Sequence, residues 1–418
     1  MSISSLPEEI QEKVILKMPV KSISTCKCVC KLWCNLISSP EFIKYHLKLP
    51  LCLNINQLIS FLVVNKSSLC YVEYDFENDE QISQKPTKEL FNLGRLGYFE
   101  DVGEQDIVIV GSCNGLVCLT TKIHKFLCGH VYICNPITRE CLELPSLVPT
   151  NKDYKDHGYA YMLYGFGYLS SSNEYKVVRI SYSGNKIYSG KVDVYTIGDG
   201  RGWRYRGEIT TELLGWSSTQ GILVDGALFW IDECSTGPLI SVFDLTDEKL
   251  YMLSVPPASP SDWGNYKLGV LTGQLCFFRA TTYDSSVIWL LGKNIHDSDV
   301  KEQGGKDRHS PWIWSKESGK DEHSPWIWSK GPTVTLEGIL RYRPLTTAKN
   351  GDILFLYREN WNQAETKNVI IRFDPKTSDS NELGDLGLPL PGFSKATIHV
   401  NSYISLKLLG EENVFARL

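Results

Sequence analysis

The sequence predicts a mainly β chain that is preceded by a short α-helical segment. Aromatic residues make up 11% of the chain, with 21 Tyr and 11 Trp against four Met, and aromatic side chains pack well on pleated sheets. From about Leu53 onward, short apolar runs alternate with Gly, Asn, Asp, Ser and Pro, which is typical of many strands and turns. We therefore place a helical module at residues 1–50 and a β-rich domain at residues 51–418.

Composition and charge narrow the possible partners. Hydrophobic residues at 42% and charged residues at 22% are ordinary values for a folded chain with a real core. The net charge is −5, and no Lys/Arg cluster is interleaved with aromatics, so nucleic acid is not an expected ligand. The first 50 residues carry seven Lys and four Glu without Arg or Asp, a local excess of positive charge that could steer an acidic partner.

The sequence also gives expectations about the cellular compartment. The N-terminus lacks a basic segment followed by an apolar run, and no stretch of 18 uncharged apolar residues occurs. We therefore expect no membrane association and a location in the cytoplasm and/or nucleus. Thirteen scattered Cys without a secretory signal are expected to stay reduced, so no disulfide is predicted.

The N-terminal module reads as three short helices. Ser5 is the candidate N-cap of a first helix over about Pro7–Lys17, which Pro19 ends because proline lacks an amide donor. Residues 21–26 and 29–37 supply two further short segments with helical apolar spacing. Helices of this length are marginal alone, so either the β domain or a partner protein must cover their apolar stripes.

The order and spacing of motifs in this module closely resemble the plant F-box over about 42 residues. The matching segments are Leu6-Pro7-Glu8-Glu9-Ile10, Val14-Ile15, Met18-Pro19-Val20-Lys21-Ser22-Ile23, Cys28-Val29-Cys30-Lys31-Leu32-Trp33 and Leu36-Ile37-Ser38-Ser39-Pro40-Glu41-Phe42. The chain departs from the family pattern at Ser24 and Thr25, where an apolar and a basic residue are usual.

The resemblance implies docking to a Skp-family adaptor, and through it to a cullin, in a Skp/cullin/F-box ubiquitin ligase. Trp33 is the expected hot spot of that contact. The residues expected to form or support it are Leu6, Pro7, Ile10, Val14, Ile15, Pro19, Val20, Ile23, Val29, Lys31, Trp33, Leu36 and Ile37.

A degenerate repeat in the second domain predicts a β-propeller of six blades. Each unit has a Gly-bounded strand, a second strand, a strand ending in Asp or Asn, and one more strand. Residues 402–408 are expected to complete the first blade and close the ring. An irregular β-sandwich is the alternative. The recurring strand is seen at Leu69–Asp75, Val131–Pro136, Val192–Tyr195, Val242–Leu245, Val287–Leu290 and Val369–Pro375.

Further segments of the second domain look like motifs of the plant F-box-associated domain, in the F-box/kelch-like group. With the F-box, this resemblance covers nearly the whole chain. Asn-Gly and Asn-Pro turn chemistry and aromatic packing give these motifs a scaffold role. They are Gly111–Leu116, Asn135–Thr138, Tyr164–Tyr168 and Asn173–Val178.

A tandem duplication stands out, because residues 306–316 recur almost unchanged as residues 320–330. One copy can supply an outer strand that runs into Gly331, while the other enlarges a surface loop. Neutral tolerance of a loop insertion explains the repeat as well as a ligand anchor does. Its tryptophans, Trp312, Trp314, Trp326 and Trp328, are nevertheless the candidate substrate-binding residues.

No motif for catalysis or metal binding is recognisable. HExxH, GxSxG, GxxxxGK and paired CxxC spacings are absent, and the alternate spacing of Cys26, Cys28 and Cys30 is wrong for a zinc knuckle. We expect no cofactor, no metal and no enzymatic activity of the chain itself.

The sequence-based hypothesis is a substrate-recognition subunit of an E3 ubiquitin ligase, which recruits a target protein for ubiquitination and proteasomal degradation. The alternative is an adaptor-independent propeller that binds a glycan or another small ligand. Neither the target protein nor its recognition signal can be identified from loop composition.

Overall fold

The computed structural model describes residues 7–18, 20–39, 41–43, 45–46, 58–65, 68–75, 88–92, 106–124, 127–147, 161–183, 186–209, 220–234, 237–256, 265–280, 285–293, 326–338, 342–348, 350–358, 368–385 and 396–416. Among these residues, three helices precede a set of antiparallel sheets. The helices are α1 (Glu8–Leu16), α2 (Val20–Cys26) and α3 (Lys31–Ser38).

The sheets form six blades, each with at least four strands. Blade 1 contains β1 (Leu58–Asn65), β2 (Ser68–Asp75), β3 (Lys88–Asn92) and β24 (Ala396–His399). Blade 2 contains β4 (Asp106–Cys113), β5 (Leu116–His124), β6 (Leu127–Asn135), β7 (Glu140–Glu143) and β25 (Phe415–Ala416). Blade 3 contains β8 (Tyr161–Leu169), β9 (Glu174–Ser183), β10 (Lys186–Thr196) and β11 (Trp203–Ile209).

The remaining three blades have the same order of strands. Blade 4 contains β12 (Ile222–Val224), β13 (Ala227–Cys234), β14 (Gly237–Asp244) and β15 (Lys249–Ser254). Blade 5 contains β16 (Asn265–Leu271), β17 (Gln274–Ala280), β18 (Ser285–Lys293) and β19 (Trp326–Thr335). Blade 6 contains β20 (Tyr342–Thr347), β21 (Ile353–Arg358), β22 (Asn368–Phe373) and β23 (Ser380–Asp385).

The blades are arranged around an axis as a propeller, which confirms the predicted fold and blade number. The first strands of successive blades contact one another, so these strands surround the axis. The ring closes in blade 1, where β24 pairs with β1 in the register Ser60↔His399. Closure by pairing removes a free sheet edge at the axis.

The closing strand is not the one that the sequence suggested. Residues 402–408 were expected to close the ring, but that segment contains no strand, and Ala396–His399 closes it instead. The side-chain amide of Asn135, at the end of β6 in blade 2, binds residues 402–404 instead. Its Nδ2 donates hydrogen bonds to the carbonyl oxygens of Ser402 and Ile404, at 3.0 and 2.7 Å.

The recurring strand recognised in the sequence is the third strand of each of the six blades. In three blades, an Asn or Asp side chain at its end caps the following turn by accepting a backbone amide two residues later, at 2.6–2.8 Å. These residues are Asn135, Asp244 and Asp374. The fourth residue after each one has a positive φ: Arg139 at 58°, Glu248 at 56° and Ser378 at 63°.

Two-residue turns connect the first and second strands in blades 2, 4 and 5. Both central residues have positive φ in Asn114-Gly115, Asp225-Gly226 and Thr272-Gly273, which matches the twist of hairpin strands. Gly115 has a second constraint, because a Cβ at this position would lie 2.3 Å from Ser402 Oγ. The Asn114-Gly115 turn therefore packs against Ser402, whose carbonyl is bound by Asn135.

Indole groups join neighbouring blades at their outer strands. Trp203 on β11 donates to the carbonyl of Pro145 in blade 2, at 2.8 Å, and Trp328 on β19 donates to that of Ser254 in blade 4, at 2.9 Å. Trp328 belongs to the second copy of the duplicated segment. The prediction that one copy supplies an outer strand is confirmed, and the first copy lies outside the described residues.

The expectation that no disulfide forms is wrong at one pair. Cys134 and Cys141 lie directly opposite each other on β6 and β7, with their Cα atoms 4.2 Å apart, and they form a disulfide. The short hairpin between them brings the two thiols together, because the Asn135 turn sets the strand register.

The ring closure should weaken in mild acid because of His399. This side chain is 3% exposed, its Nδ1 lies 2.8 Å from Ser112 Oγ on β4, and burial lowers its pKa to about 3. Below the unfolded pKa of about 6.5, the unfolded chain binds a proton that the folded chain excludes. This group alone should lower the free energy of unfolding by about 2 kcal/mol between pH 7 and pH 5.

Urea unfolding of the native chain and His399→Asn at these two pH values measures the effect. The substituted chain should lose less stability on acidification than the native chain does. Leu408→Asn, which introduces the same side chain at a 59% exposed position, is the control and should retain the full loss. An equal loss in the native chain and His399→Asn would exclude this role.

Candidate functional site

The helical module has an inward row of buried side chains. Ile15 on α1, Ile23 on α2 and Ile37 on α3 have no exposed surface. Trp33 is 8% exposed, and its Nε1 donates to Gln11 Oε1 at 2.5 Å, which links α3 to α1. A buried indole needs such a partner for its N–H, so this contact fixes the angle between the two helices.

The inward row packs on the propeller. Ile15, Trp33 and Ile37 belong to one hydrophobic cluster with Tyr403 and Leu406, the segment next to blade 2. The propeller therefore covers the inward apolar face of the helical module, which is one of the two ways of covering the helices that the sequence left open. Ile10, Val14, Val29 and Leu32 are not members of this cluster.

Aromatic and charged contacts define the edge of this junction. Residues 41–43 and 45–46 are helical, and Phe42 stacks on His46, which meets Tyr403 edge-on with ring centroids 6.1 Å apart. Lys27 Nζ lies 5.0 Å from the centroid of the Tyr403 ring. Burial lowers the pKa of both Lys27 and His46. Both His46 and Lys27 of the helical module therefore contact the same propeller residue, Tyr403.

A second, outward row of large apolar side chains remains exposed. Ile10 is 42% and Val14 36% exposed on adjacent turns of α1. Val29 is 62% exposed just before α3, and Leu32 is 43% exposed in its first turn. Tyr45 is 59% exposed beyond α3. Several exposed large apolar groups in one short module are typical of a protein-binding surface. Nearby exposed cations on the same helices are Lys13, Lys17 and Lys31.

The local sequence explains why α1 presents two rows. The structure begins this helix at Glu8, with Pro7 as N-cap in an extended conformation, rather than with the expected Ser5 cap. The Pro7 carbonyl accepts hydrogen bonds from the backbone amides of Ile10 and Gln11. Ile10 begins the outward row of the helix, and Gln11 begins the inward row. One row continues to Val14 and the other to Ile15, because residues four apart share a helix face.

The predicted adaptor residues therefore divide into three groups. Pro7, Ile10, Val14, Val29 and Lys31 are exposed. Ile15, Ile23, Trp33 and Ile37 are buried, and Leu36 is partly buried, so their role is to hold the helices in place. Leu6 and Pro19 lie outside the described residues, and nothing is described for the side chain of Val20.

Three features of the site went unrecognised in the sequence. Leu32 and Tyr45 are exposed, and Gln11 is the buried partner of Trp33. Helical spacing could have found two of them, since Leu32 follows Val29 by three positions and Gln11 precedes Ile15 by four. Nothing local pointed to Tyr45.

The tryptophans proposed for substrate binding are used in packing where the structure describes them. Trp326 is 8% exposed in the core between blades 4 and 5. Trp328 meets Phe277 edge-on and donates its N–H to Ser254. The Trp326 ring therefore offers little surface to a ligand, whereas Trp328 is partly exposed. Trp312 and Trp314 lie outside the described residues.

Two kinds of feature are absent from the described residues. No three His, Cys, Asp or Glu side chains there are grouped as metal ligands. No helix among them is long and apolar enough to cross a membrane.

A helical module that is held to a propeller by one face and exposes an apolar row on the other defines a two-part binding protein. A family model described as the F-box domain matches residues 3–45, and one described as the F-box associated beta propeller domain matches residues 82–298. The chain therefore belongs to the F-box proteins that carry an F-box associated propeller domain. Together, the two domains support a substrate-receptor role in general.

Similar proteins of Arabidopsis thaliana carry the same domain name. F-box protein At3g07870 is 26% identical, over 93% of this chain and 89% of the relative. F-box/kelch-repeat protein At3g23880 is 26% identical, over 69% and 75%. F-box protein CPR1 is 26% identical, over 71% and 72%. These relatives confirm the resemblance that the sequence motifs indicated.

Replacing Trp33 should loosen the module without unfolding the propeller. Trp33→Ala removes a buried aromatic ring and leaves the Gln11 amide without its indole partner, at a cost of about 3–5 kcal/mol. Hydrogen exchange of peptides from residues 8–38 should accelerate, while peptides from blades 3–6 keep their protection. Val29→Ala, at an exposed position, is the matched control and should leave exchange unchanged. Unaltered protection in Trp33→Ala would contradict the assigned packing role.

Proposed function

We propose that this chain is the substrate-recognition subunit of a Skp/cullin/F-box E3 ubiquitin ligase. The outward row of the helical module docks on a Skp-family adaptor, which connects the chain to a cullin. The propeller receives the target protein, which is then ubiquitinated and degraded by the proteasome. The complex works in the cytoplasm, the nucleus or both.

The observation that carries this proposal is the outward row itself. The propeller covers Ile15, Trp33 and Ile37, yet Ile10, Val14, Val29 and Leu32 stay 36–62% exposed. Burying each of them against a partner would contribute on the order of 1 kcal/mol. Apolar residues at helical spacing, here on α1 and at α3, can supply such contacts to a partner.

The charges around the row are mixed. Lys13, Lys17 and Lys31 are exposed in or next to α1 and α3, and Glu8 and Glu9 are exposed in the first turn of α1. Charges at the rim of an interface affect association rates and the choice of partner more than affinity. The apolar row would supply most of the binding energy.

Burial changes which residues are the expected hot spots. Trp33 has little surface to offer an adaptor, so it acts through the positions of α1 and α3. Ile10 and Val14 on α1, with Val29 and Leu32 at α3, take over the direct contact. In this proposal the chain contributes proximity between target and ligase, which is an effect of effective concentration rather than of covalent chemistry.

Binding of the purified chain to a Skp-family adaptor tests the proposal. The double substitution Ile10→Asp, Val14→Asp places charges in the apolar contact and should weaken the apparent Kd by at least about 100-fold. Both positions are exposed, so the melting temperature should stay within a few degrees of that of the native chain.

The matched control is Tyr205→Asp, which introduces the same charge at a 53% exposed aromatic residue of β11. It should bind the adaptor like the native chain. If the native chain fails to bind, the ligase-receptor proposal is wrong and the adaptor-independent propeller becomes the better hypothesis. Unchanged binding by the double variant would place the adaptor contact elsewhere.

A further inference from the structure

The disulfide of blade 2 lies next to the turn of the short hairpin that joins β6 and β7. Cys134 and Cys141 face each other directly across the two strands, with their Cα atoms 4.2 Å apart. The adjoining pair in the same register is Asn135 and Glu140. The disulfide therefore holds together the two strand ends that carry these polar residues.

The Asn135–Glu140 pair binds residues 402–406, a segment that we call the strap. From one strand, Asn135 Nδ2 donates two hydrogen bonds to carbonyl oxygens of the strap, at 3.0 and 2.7 Å. From the other strand, the Glu140 carboxylate accepts hydrogen bonds from Ser405 Oγ and the Leu406 amide, at 2.8 and 2.7 Å. Because the four bonds come from two strands, binding of the strap depends on β6 and β7 keeping this register.

The strap is also the part of the propeller on which the helical module packs. Tyr403 and Leu406 share a hydrophobic cluster with Trp33 of α3. Glu140 lies near the module as well: burial lowers the pKa of Lys27, and the Glu140 carboxylate opposes that change. The disulfide, the polar pair, the strap and the helices are thus joined by contacts in an unbroken series.

The C-terminal strand controls how a reductant reaches the disulfide. Cys134 has no exposed surface, and Cys141 is 3% exposed. β6 lies inside the sheet between β5 and β7, whereas the outer side of β7 is bordered by the two-residue strand β25, with Phe415 opposite Cys141. Phe415 packs against the cluster that contains both cysteines. Release of β25 is therefore the shortest route by which a thiol reaches the Cys141 sulfur.

We propose that the Cys134–Cys141 disulfide is a redox-sensitive latch, which fixes the helical module to the propeller and which a thiol such as glutathione opens. A glutathione thiolate attacks the Cys141 sulfur, the S–S bond breaks, and the Cys134 sulfur leaves as a thiolate. A second glutathione thiolate attacks the glutathione sulfur of this mixed disulfide, so Cys141 leaves as a thiolate and glutathione disulfide forms. Each protein thiolate takes up one of the two protons that the glutathione thiols lost.

Reduction removes the covalent link between the two sides that bind the strap. Next to the turn, β6 and β7 are then joined by hydrogen bonds alone, and local opening of the hairpin separates Asn135 from Glu140. The strap and the helices packed on it should open more often, whereas blades 4 and 5 share no contact with the hairpin and should stay closed. The latch lies apart from the outward row, so it can be tested whether or not the ligase proposal holds.

Hydrogen exchange of the full chain, treated with glutathione disulfide or with excess reduced glutathione, tests the latch. Alkylation and mass spectrometry first establish whether Cys134 and Cys141 are oxidised or reduced in each sample. Reduction should accelerate exchange of peptides from residues 402–406 and 8–38 by at least about tenfold and leave peptides from blades 4 and 5 unchanged. A general loss of stability would accelerate all of these peptides alike, and that result would overturn the proposal.

The double substitution Cys134→Ala, Cys141→Ala separates the latch from other thiols. The same peptides should exchange rapidly in this variant under both treatments. Cys276→Ala, which removes a buried free thiol of blade 5, is the matched control and should respond like the native chain.

The native chain alone keeps the proposal falsifiable if the double variant fails to fold. Two free thiols at Cys134 and Cys141 after treatment with glutathione disulfide would overturn it. A disulfide that persists in excess reduced glutathione would do the same, as would unchanged exchange of residues 402–406 after reduction.

Discussion

The packing of the inward helix row on the propeller is the contact on which the proposed function depends. Short helices of this kind gain too little from their own hydrogen bonds to persist alone. Here Ile15, Trp33 and Ile37 share a core with Tyr403 and Leu406, so the module is stabilised by tertiary contacts. Those contacts also decide which side chains point away from the propeller, and hence which ones a partner can reach.

A fixed junction has a direct consequence for a receptor. If the module packs firmly on blade 2, the outward row and the propeller keep a constant separation and orientation. A target on the propeller would then be held at a defined distance from the rest of a ligase, which raises its effective concentration there. Ring closure by β24 contributes to the same rigidity, because the chain continues from His399 directly into the Tyr403 segment.

Much of this architecture could be predicted from local patterns. The six apolar strands were recognisable because each one is a buried third strand, and Asn135, Asp244 and Asp374 mark their ends through local turn chemistry. The closing strand was misplaced because its pairing with β1 joins opposite ends of the chain, and no local signal separates residues 396–399 from residues 402–408. Long-range register of this kind depends on the assembled ring.

The candidate sites show the same limit. The F-box motif located the helices, but a motif does not say which face of the module packs on the propeller. Trp33 shares its hydrophobic cluster with Tyr403 and Leu406, which lie far along the chain. Binding groups on a propeller come from separate blades, so their spacing along the sequence carries little information.

Hydrogen exchange of the chain, free and bound to a Skp-family adaptor, tests most directly whether the two helix faces serve two different contacts. The account predicts that amides of residues 403–406 are protected in the free chain and unchanged by the adaptor, while residues 8–16 and 29–38 gain protection in the complex. Rapid exchange at residues 403–406 in the free chain, or protection there that appears only with the adaptor, would contradict it.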